Sequence, residues 1–240
     1  MKQGLLLWLV ILSAQSSAIE MASYYIPGLV IDQDKGLFVK LHREIFKRLQ
    51  QPADFKLLPA RRVQLSFQRG ELDSYFPELW ENVAQPKSDY VVSDSFWYKK
   101  VILYARKDSD IRELSDVYHK TAGAVRGYSY GDDIIHDERF TILYNHNDDM
   151  NVKMLLKGRI DAIFGDNAST LNAVKNNIEG DLIYYDLNKP IAVLDVFYIC
   201  HNNPEGVALC AAISDVIQQL KKEDVIVLDR TSGESEIRLP

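Results

Sequence analysis

The stretch LKGRIDAIFGD at 156–166 is the part of the sequence that most clearly indicates the fold. A helix is predicted over 150–156, and it is expected to end near Gly158, a residue typical of helix C-termini. The apolar run at 162–164 predicts a short buried strand, and another helix is predicted over 168–175. This stretch therefore joins a helix, a strand and a second helix.

The same alternation of strands and helices continues on both sides of this stretch. The longest helix is expected to begin at Pro204, because proline is favoured in the first turn of a helix. Repeated alternation of this kind indicates an α/β fold with largely parallel sheets. Further strands are predicted over 22–26, 56–58, 90–92, 101–105, 123–125, 141–144, 182–185 and 196–200, and further helices over 37–50, over 61–69 and from about 130.

Composition and charge exclude several classes of function. The chain has 240 residues, of which 47% are hydrophobic and 26% charged, as in ordinary folded proteins. Its 28 basic and 34 acidic residues give a net charge of −6 without a basic block, so no nucleic-acid partner is expected. The five histidines are scattered, and no GxGxxG or P-loop motif occurs, so neither a metal nor a cofactor is predicted. His42 is expected to lie in solvent on a charged helix face.

The N-terminus has the pattern of a secretory signal peptide. Lys2 is followed by the apolar run GLLLWLVIL at 4–12, and the small residues Ser16 and Ala18 precede the expected cleavage site. The run is too short for a membrane anchor, because a spanning helix needs about 20 apolar residues. We predict a signal peptide over 1–18. No cysteine near the cut could carry a lipid, so a freely diffusing periplasmic protein is expected.

Two cysteines, Cys200 and Cys210, are present in the sequence. The periplasm is an oxidising compartment, so the two thiols could form a disulfide. The alternative is a pair of buried free thiols, one on a strand and one on a helix. The sequence leaves both alternatives open.

The segment GYSYG at 127–131 matches the G-x-S-x-G nucleophile elbow of α/β-hydrolases. Asp166 and His201 follow Ser129 in the chain order that such a triad would require. However, no HGGG-like oxyanion segment stands upstream. We favour the alternative, a glycine-bearing turn between a strand and a helix whose free N–H groups bind an anion.

Five short segments together carry a resemblance to a known family. They are GLFVKL (36–41), RGELD (69–73), VSDSF (92–96), the segment 115–127 and LKGRIDAIFGD (156–166). Their order and spacing resemble extracellular solute-binding proteins of the polar amino-acid type, family 3. The resemblance implies a type II periplasmic-binding fold with two α/β lobes, two hinge crossings and a ligand in the cleft between the lobes. Lobe one would comprise 19–99 with 195–240, and lobe two 100–194.

The resemblance also implies which residues bind the ligand. Asp166 stands where the family binds the ligand's ammonium group, although it could simply cap the following helix. Ser129 stands where a Thr or Ser binds the ligand's carboxylate, and Tyr128 flanks it. Aromatic walls are expected from Tyr25 or its neighbour Tyr24, and from Phe96 and Trp97 at the cleft mouth. Core packing would explain these aromatic residues equally well.

The chain departs from the family pattern near the expected ligand. It has no arginine between Arg69 and Arg106, although the family usually clamps the ligand carboxylate with one there. Glu78 and Trp80 replace the small residues expected after the RGELD segment. Together with Asp166 they would suit a cationic or amine ligand. Arg62 is the preferred candidate for an alternative anion site.

The leading hypothesis is a monomeric periplasmic protein that captures a small polar or amine-bearing ligand for an ABC importer, without catalysis. One alternative is an enzyme on the same fold, similar to cyclohexadienyl dehydratase, with Glu78 as the general acid. Another is a sensing module that reports ligand occupancy to a membrane receptor. The hydrolase hypothesis centred on Ser129 ranks last.

Overall fold

The computed structural model describes residues 18–239, so the predicted signal peptide lies outside the described residues except for Ala18. The strands are β1 (Ile19–Ser23), β2 (Ala53–Leu57), β3 (Ser74–Leu79), β4 (Tyr90–Val92), β5 (Trp97–Arg106), β6 (Thr121–Val125), β7 (Thr141–Asn145), β8 (Ala162–Asp166), β9 (Ile183–Tyr185), β10 (Ala192–His201), β11 (Ile226–Asp229) and β12 (Glu234–Ile237). The helices are α1 (Leu37–Leu49), α2 (Ala60–Gln68), α3 (Asp132–Ile135), α4 (Asp148–Leu156), α5 (Ser169–Lys175) and α6 (Pro204–Lys222). No helix within 18–239 combines the length and the apolar character needed to cross a membrane.

Most of the described strands form one mixed sheet. Its order is β2-β1-β3-β10-β5-β8-β6-β7, with β4 beside β10 and β9 beside β5. Parallel pairs occupy both ends: β1 pairs with β2 and β3, and β6 with β7 and β8. In the middle, β10 is antiparallel to β3 and β5, and β5 is antiparallel to β8. The prediction of a largely parallel sheet is therefore wrong there, because the chain leaves one half along β5 and returns along β10.

Most predicted elements have counterparts within a few residues of the predicted bounds, and β4 matches exactly. Two regions were not predicted as strands. One is β3, which contains Pro77 and the buried Glu78, both unfavourable in a central strand pattern. The other is the C-terminal hairpin of β11 and β12. The helix expected from about 130 is the single turn α3.

The apolar core is divided between the two ends of the sheet. Around β1, α1 and α6, one cluster contains Met21, Phe38, Ile45, Tyr198 and Ile217, and a smaller cluster packs against α2. Two further clusters lie around β5, β6, β8 and α4, and their buried residues all fall within 101–194. The partly buried Leu79 packs against a cluster of each group.

Helix α6 packs against β10 and α1, and its first turn is capped. Asn203 accepts a hydrogen bond from the Gly206 N–H at 2.7 Å, and Pro204 occupies the first turn, as predicted. A disulfide joins Cys200 of β10 to Cys210 of α6. This bond ties the helix covalently to a central strand of the sheet.

Candidate functional site

The segment GYSYG forms a tight turn between β6 and α3. Gly127 and Gly131 adopt φ values of 85° and 92°, which residues with a Cβ rarely adopt. Between them, the Tyr130 hydroxyl accepts a hydrogen bond from the Val125 N–H at 2.7 Å, which fixes the turn to the end of β6. Ser129 is buried, and its hydroxyl donates to the Asn82 side-chain oxygen, whereas Tyr128 is exposed.

Asp166 ends β8 and faces the first turn of α5. One carboxylate oxygen accepts the N–H groups of Ala168 at 2.8 Å and Ser169 at 2.6 Å. The other accepts the Ser169 hydroxyl at 2.9 Å. Asp166 thus accepts hydrogen bonds from free N–H groups at the start of a helix. This is the helix-capping role that the sequence offered as the alternative to ligand binding. Asp166 is half-buried, and its second carboxylate oxygen retains capacity for another donor.

Glu78, at the end of β3, is 1% exposed and fully engaged by neighbouring donors. Its carboxylate accepts the Tyr75 hydroxyl at 2.6 Å and the Leu79 N–H at 2.8 Å. The side-chain amides of Gln64 and Asn82 each donate to it at 3.3 Å. Asn82 therefore links Ser129 on one side to Glu78 on the other.

Two tyrosines respond to this buried carboxylate. Burial, together with the Glu78 charge, raises the pKa of Tyr24 and of Tyr75 well above the usual value. The Tyr24 hydroxyl donates to the Pro77 carbonyl at 3.0 Å. Of the two tyrosines that the sequence offers as an aromatic wall, Tyr24 is the one influenced by the Glu78 charge. Tyr25 is 62% exposed.

Sequence reasoning missed Lys99, which lies on β5. Its ammonium donates to the Ser129 carbonyl at 3.1 Å and lies 5.4 Å from the Tyr128 ring centroid and 6.0 Å from that of Tyr130. Burial lowers the pKa of Lys99, and the charge of Asp166 partly offsets this effect. The sequence carries one signal for this residue, the consecutive pair Lys99–Lys100 before an apolar run. Successive residues of a strand face opposite sides, so the two lysines cannot both point the same way.

Two more acidic side chains belong to the surroundings of Lys99. Glu81 and Asp148 both act electrostatically on its ammonium group. Asp148 is buried and accepts the Thr170 hydroxyl at 2.5 Å, and burial raises the pKa of its carboxyl group. Together with Asp166, these side chains place more carboxylates than cations around the Ser129 turn. Such an excess favours a ligand that carries at least one positive charge.

Other predicted site residues have different surroundings. Phe96 is fully buried in the apolar core, with its ring centroid 5.1 Å from that of Phe38, so its assignment to the cleft mouth is wrong. Trp97 packs partly buried against the same ring at 5.4 Å. Both positions follow the core-packing alternative. Arg62 is exposed on α2 and makes no side-chain hydrogen bond or ion pair with the described residues.

Trp80 lies in the short 3-10 helix that follows β3. It is half-buried against the α2 cluster, and the Lys87 ammonium lies 5.4 Å from its ring centroid. The indole ring therefore packs against residues of its own end of the sheet and lies near a lysine of this chain.

The structure does not assemble the hydrolase triad suggested by the sequence. The His201 ring lies 3.2 Å from the Leu72 carbonyl through Nε2 and stacks on Phe67 at 4.0 Å. Ser129 and Asp166 have the other partners described above. Within the described residues, no group of three or more His, Cys, Asp or Glu side chains is placed to hold a metal ion.

Surface grooves of about 500 Å³ occur away from this cluster, one beside the start of α6 and one beside β9. They are lined by other residues, including Asn203 in the first and Tyr184 in the second. Neither groove brings together charged groups from both ends of the sheet. The Ser129 turn, Lys99 and Asp166 therefore remain the candidate site.

No family model and no curated protein matches this sequence. Solved structures do match the fold. The substrate-binding protein of an amino acid ABC transporter shares 17% identity with a TM-score of 0.56, covering 87% of this chain and 95% of that one. The GluR0 ligand-binding core in complex with L-glutamate shares 13% identity with a TM-score of 0.62, covering 88% and 95%.

A third similar structure is a histidine kinase sensor domain with similarity to periplasmic binding proteins. It shares 17% identity with a TM-score of 0.57, covering 86% of this chain and 91% of that chain. The likeness to all three extends over nearly the whole described chain. The chain therefore has the two-lobed α/β fold of the type II periplasmic-binding proteins.

Proposed function

We propose that this protein is a periplasmic solute-binding protein that captures a small polar or amine-bearing ligand between two lobes and delivers it to an ABC importer. The observation that carries this proposal is the polar cluster assembled from both ends of the sheet. Asn82 and Glu78 come from one end, and Ser129 and Asp166 from the other. Similar structures described as substrate-binding or ligand-binding support the same role.

The proposed lobes are 19–99 with 195–240, and 100–194. The separate apolar clusters at the two ends of the sheet support this division. Strands β5 and β10 would then form the two crossings, because their paired segment around Lys99 and Leu194 lies where one group of clusters gives way to the other. Bending at these crossings would open and close the cleft.

The ligand would contact groups that each lobe already presents. The ligand's ammonium group would lie near Asp166, whose second oxygen accepts a single hydrogen bond within 18–239. Ser129 would exchange its bond with Asn82 for one with the ligand. The predicted signal peptide gives the proposed location in the periplasm, and the proposed partner is the permease of the importer. The protein would act as a monomer without catalysis.

A thermal-shift screen tests this function directly. The panel contains amino acids, polyamines, quaternary amines, organic acids and small peptides. A ligand at 100 times its Kd should stabilise the protein by about 2.7 kcal/mol. Asp166→Asn should abolish the shift without large destabilisation, because asparagine keeps an oxygen for the N–H groups of α5. Ser129→Ala should reduce the shift less.

Arg62→Ala and the exposed Asp132→Asn serve as controls and should leave the shift unchanged. A shift lost in Arg62→Ala but kept in Asp166→Asn would move the site to α2. No shift with any class of compound would contradict the proposed function.

Two alternatives use the same fold. A sensing role is supported by the likeness to the histidine kinase sensor domain, and it differs from import only in the partner. An enzyme with Glu78 as general acid is less favoured, because four donors already occupy its buried carboxylate. Turnover of prephenate or arogenate that is lost in Glu78→Gln would favour the enzyme instead.

A further inference from the structure

Strand β7 ends the sheet, and its outer edge is unpaired. Among the described strands, β6 is its neighbour. The Thr141 N–H donates to the Lys120 carbonyl at 2.9 Å. In a parallel pair every second residue bonds the same neighbour, so the N–H and C=O groups of Ile142 and Tyr144 point away from β6. No hydrogen bond from another residue within 18–239 reaches these outward groups.

The sequence of β7 lacks the residues that normally protect an exposed edge. Such edges usually carry a charge or a proline, which discourages pairing with another chain. The opposite edge of this sheet follows that rule, because β2 carries Lys56, which pairs with Glu20. β7 has the sequence TILYN, without a charge or a proline, and its Leu143 and Tyr144 are exposed. This edge can therefore accept another strand.

A groove of about 550 Å³ adjoins the end of this strand. Its lining residues come from the segment directly after β7, from α4 and from the segment after α4: His146, Asn147, Asp149, Met150, Lys153, Met154, Lys157 and Arg159. The Asn145 amide nitrogen lies 3.5 Å from the Met154 sulfur. Leu143 lies two residues before Asn145 and faces the same side of the strand. The exposed Leu143 therefore lies on the face of the sheet that α4 covers.

The groove is positively charged, although the chain has a net charge of −6. Lys153, Lys157 and Arg159 line it, and Asp149 is the one acidic residue among the described lining residues. None of the three cations forms an ion pair with a described residue. Cations gathered beside apolar side chains favour an acidic occupant over a neutral or basic one.

We propose that the outer edge of β7 and the groove beside α4 dock an extended, acidic segment of a partner protein. The segment adds a strand to the sheet through the main-chain groups of Ile142 and Tyr144. Its apolar side chains contact Leu143 and Met150, and its carboxylates pair with the cations of the groove. None of the groove's lining residues belongs to the cluster around Ser129, so this surface is separate from the candidate ligand site.

A second copy of this chain fits the same surface less well. Two copies that paired through β7 would be related by a twofold axis and would present the same patch to each other. Each copy would then bring Lys153, Lys157 and Arg159 to one interface, where like charges repel. An acidic partner avoids this repulsion and neutralises the three cations instead.

A labelled heptapeptide of alternating glutamate and isoleucine tests the charge preference. Fluorescence anisotropy with the mature protein should show it binding about tenfold or more tighter than the same peptide with lysine in place of glutamate. Lys153→Glu combined with Lys157→Glu should weaken binding of the acidic peptide by about tenfold or more. Lys40→Glu combined with Lys47→Glu, at exposed positions of α1, changes the net charge equally and should bind like the wild type.

Hydrogen exchange tests whether the peptide adds as a strand. Saturating acidic peptide should slow exchange of the Ile142 and Tyr144 amides by about tenfold or more. The Leu143 amide, which faces β6, should change much less. Tyr144→Pro removes an outward N–H without removing a bond to β6, and it should weaken peptide binding by about tenfold or more. Tyr144→Thr keeps that N–H and should bind like the wild type.

Several results would overturn this proposal. They are no binding of the acidic peptide, equal binding of the acidic and basic peptides, or binding that leaves exchange at Ile142 and Tyr144 unchanged. A dimer in solution that is lost in Tyr144→Pro would assign the edge to a second copy instead. Phosphatidylglycerol vesicles that bind the wild type and Tyr144→Pro alike, but not the Lys153→Glu, Lys157→Glu variant, would assign the groove to a lipid surface.

The wild-type measurements remain decisive if Tyr144→Pro does not fold. Slowed exchange at Ile142 and Tyr144 then supports strand addition, and unchanged exchange contradicts it. The thermal-shift screen for small ligands is independent of this surface, so failure of either proposal leaves the other standing.

Discussion

The imidazole of His42 is enclosed by aromatic side chains and is 3% exposed. It stacks on Phe76 with 4.9 Å between ring centroids and lies 4.6 Å from Phe46. Nδ1 is buried without a hydrogen-bond partner among the described residues. Burial, and to a smaller extent Arg43, lowers the pKa of His42 to about 3. The prediction of a solvated histidine is therefore wrong, because position 42 lies one turn after the buried Phe38 on the same helix face.

His42 should make stability fall at mildly acidic pH. Below pH 6.5 the unfolded chain binds a proton on this residue, whereas the folded protein does not until about pH 3. Stability is therefore lost as the pH falls, by about 1.4 kcal/mol per unit below pH 6.5. Between pH 6.5 and 5, we expect the free energy of unfolding to fall by about 2 kcal/mol less in His42→Phe than in the wild type, as measured by urea unfolding. The exposed His136→Gln should unfold like the wild type, and an equal pH dependence in His42→Phe would contradict this account.

At the scale of elements, Glu78 joins β3 to α2 and to the short helix that contains Asn82. Replacing it leaves the Tyr75 hydroxyl and the Leu79 N–H without their acceptor. We expect Glu78→Ala to reduce the free energy of unfolding by about 3 kcal/mol, measured in urea. Glu78→Gln keeps one acceptor oxygen and should cost less. The exposed Glu71→Ala is the control, and an equal effect of both alanine substitutions would argue against this structural role.

The disulfide between β10 and α6 is a second contact that holds two elements together. Its cysteines are 10 residues apart in sequence. Closing a loop of this length stabilises a fold by about 3 kcal/mol in the chain-entropy model. The double variant Cys200→Ala, Cys210→Ala should lose about that amount in urea unfolding. Thiol titration of the unreduced, denatured protein should find no reactive thiol, and two reactive thiols would rule out the bond.

At the scale of the whole molecule, the C-terminal hairpin binds the two strands that connect the halves. The Tyr98 N–H of β5 donates to the Ser235 hydroxyl at 2.8 Å. The buried Lys100 ammonium pairs with Glu234 and donates to the Leu187 carbonyl at 2.9 Å. Arg230, in the turn of the hairpin, pairs with Asp195 of β10. The hairpin therefore restrains β5 and β10 at the place where the proposed lobes meet.

Removing one of these contacts should loosen the crossing without unfolding the protein. We expect Ser235→Ala to speed hydrogen exchange of the Tyr98 amide roughly fivefold, equivalent to about 1 kcal/mol for one hydrogen bond. Ser232→Ala is the matched control, because its hydroxyl bonds Asp229 within the hairpin. Unchanged exchange at Tyr98 in Ser235→Ala would show that the hairpin does not restrain β5.

The short motifs of the sequence carried the resemblance that implied two lobes. By itself, the sequence determined the alternation of strands and helices and the start of α6 at Pro204. These features depend on local spacing: apolar periodicity sets the buried face of an element, and proline or glycine sets its end. The sequence also placed Ser129 on a glycine-bounded turn and Asp166 after a strand. Both positions follow from neighbours within a few residues.

Only the tertiary structure decided which distant groups surround each side chain. The antiparallel pairing of β5 with β10, the enclosure of His42 and the core position of Phe96 all arise from elements far apart in sequence. Lys99 belongs to the site for the same reason, since its carbonyl partner lies 30 residues away on another element. Local periodicity cannot report such contacts, because burial and electrostatic environment are fixed by long-range strand pairing and packing.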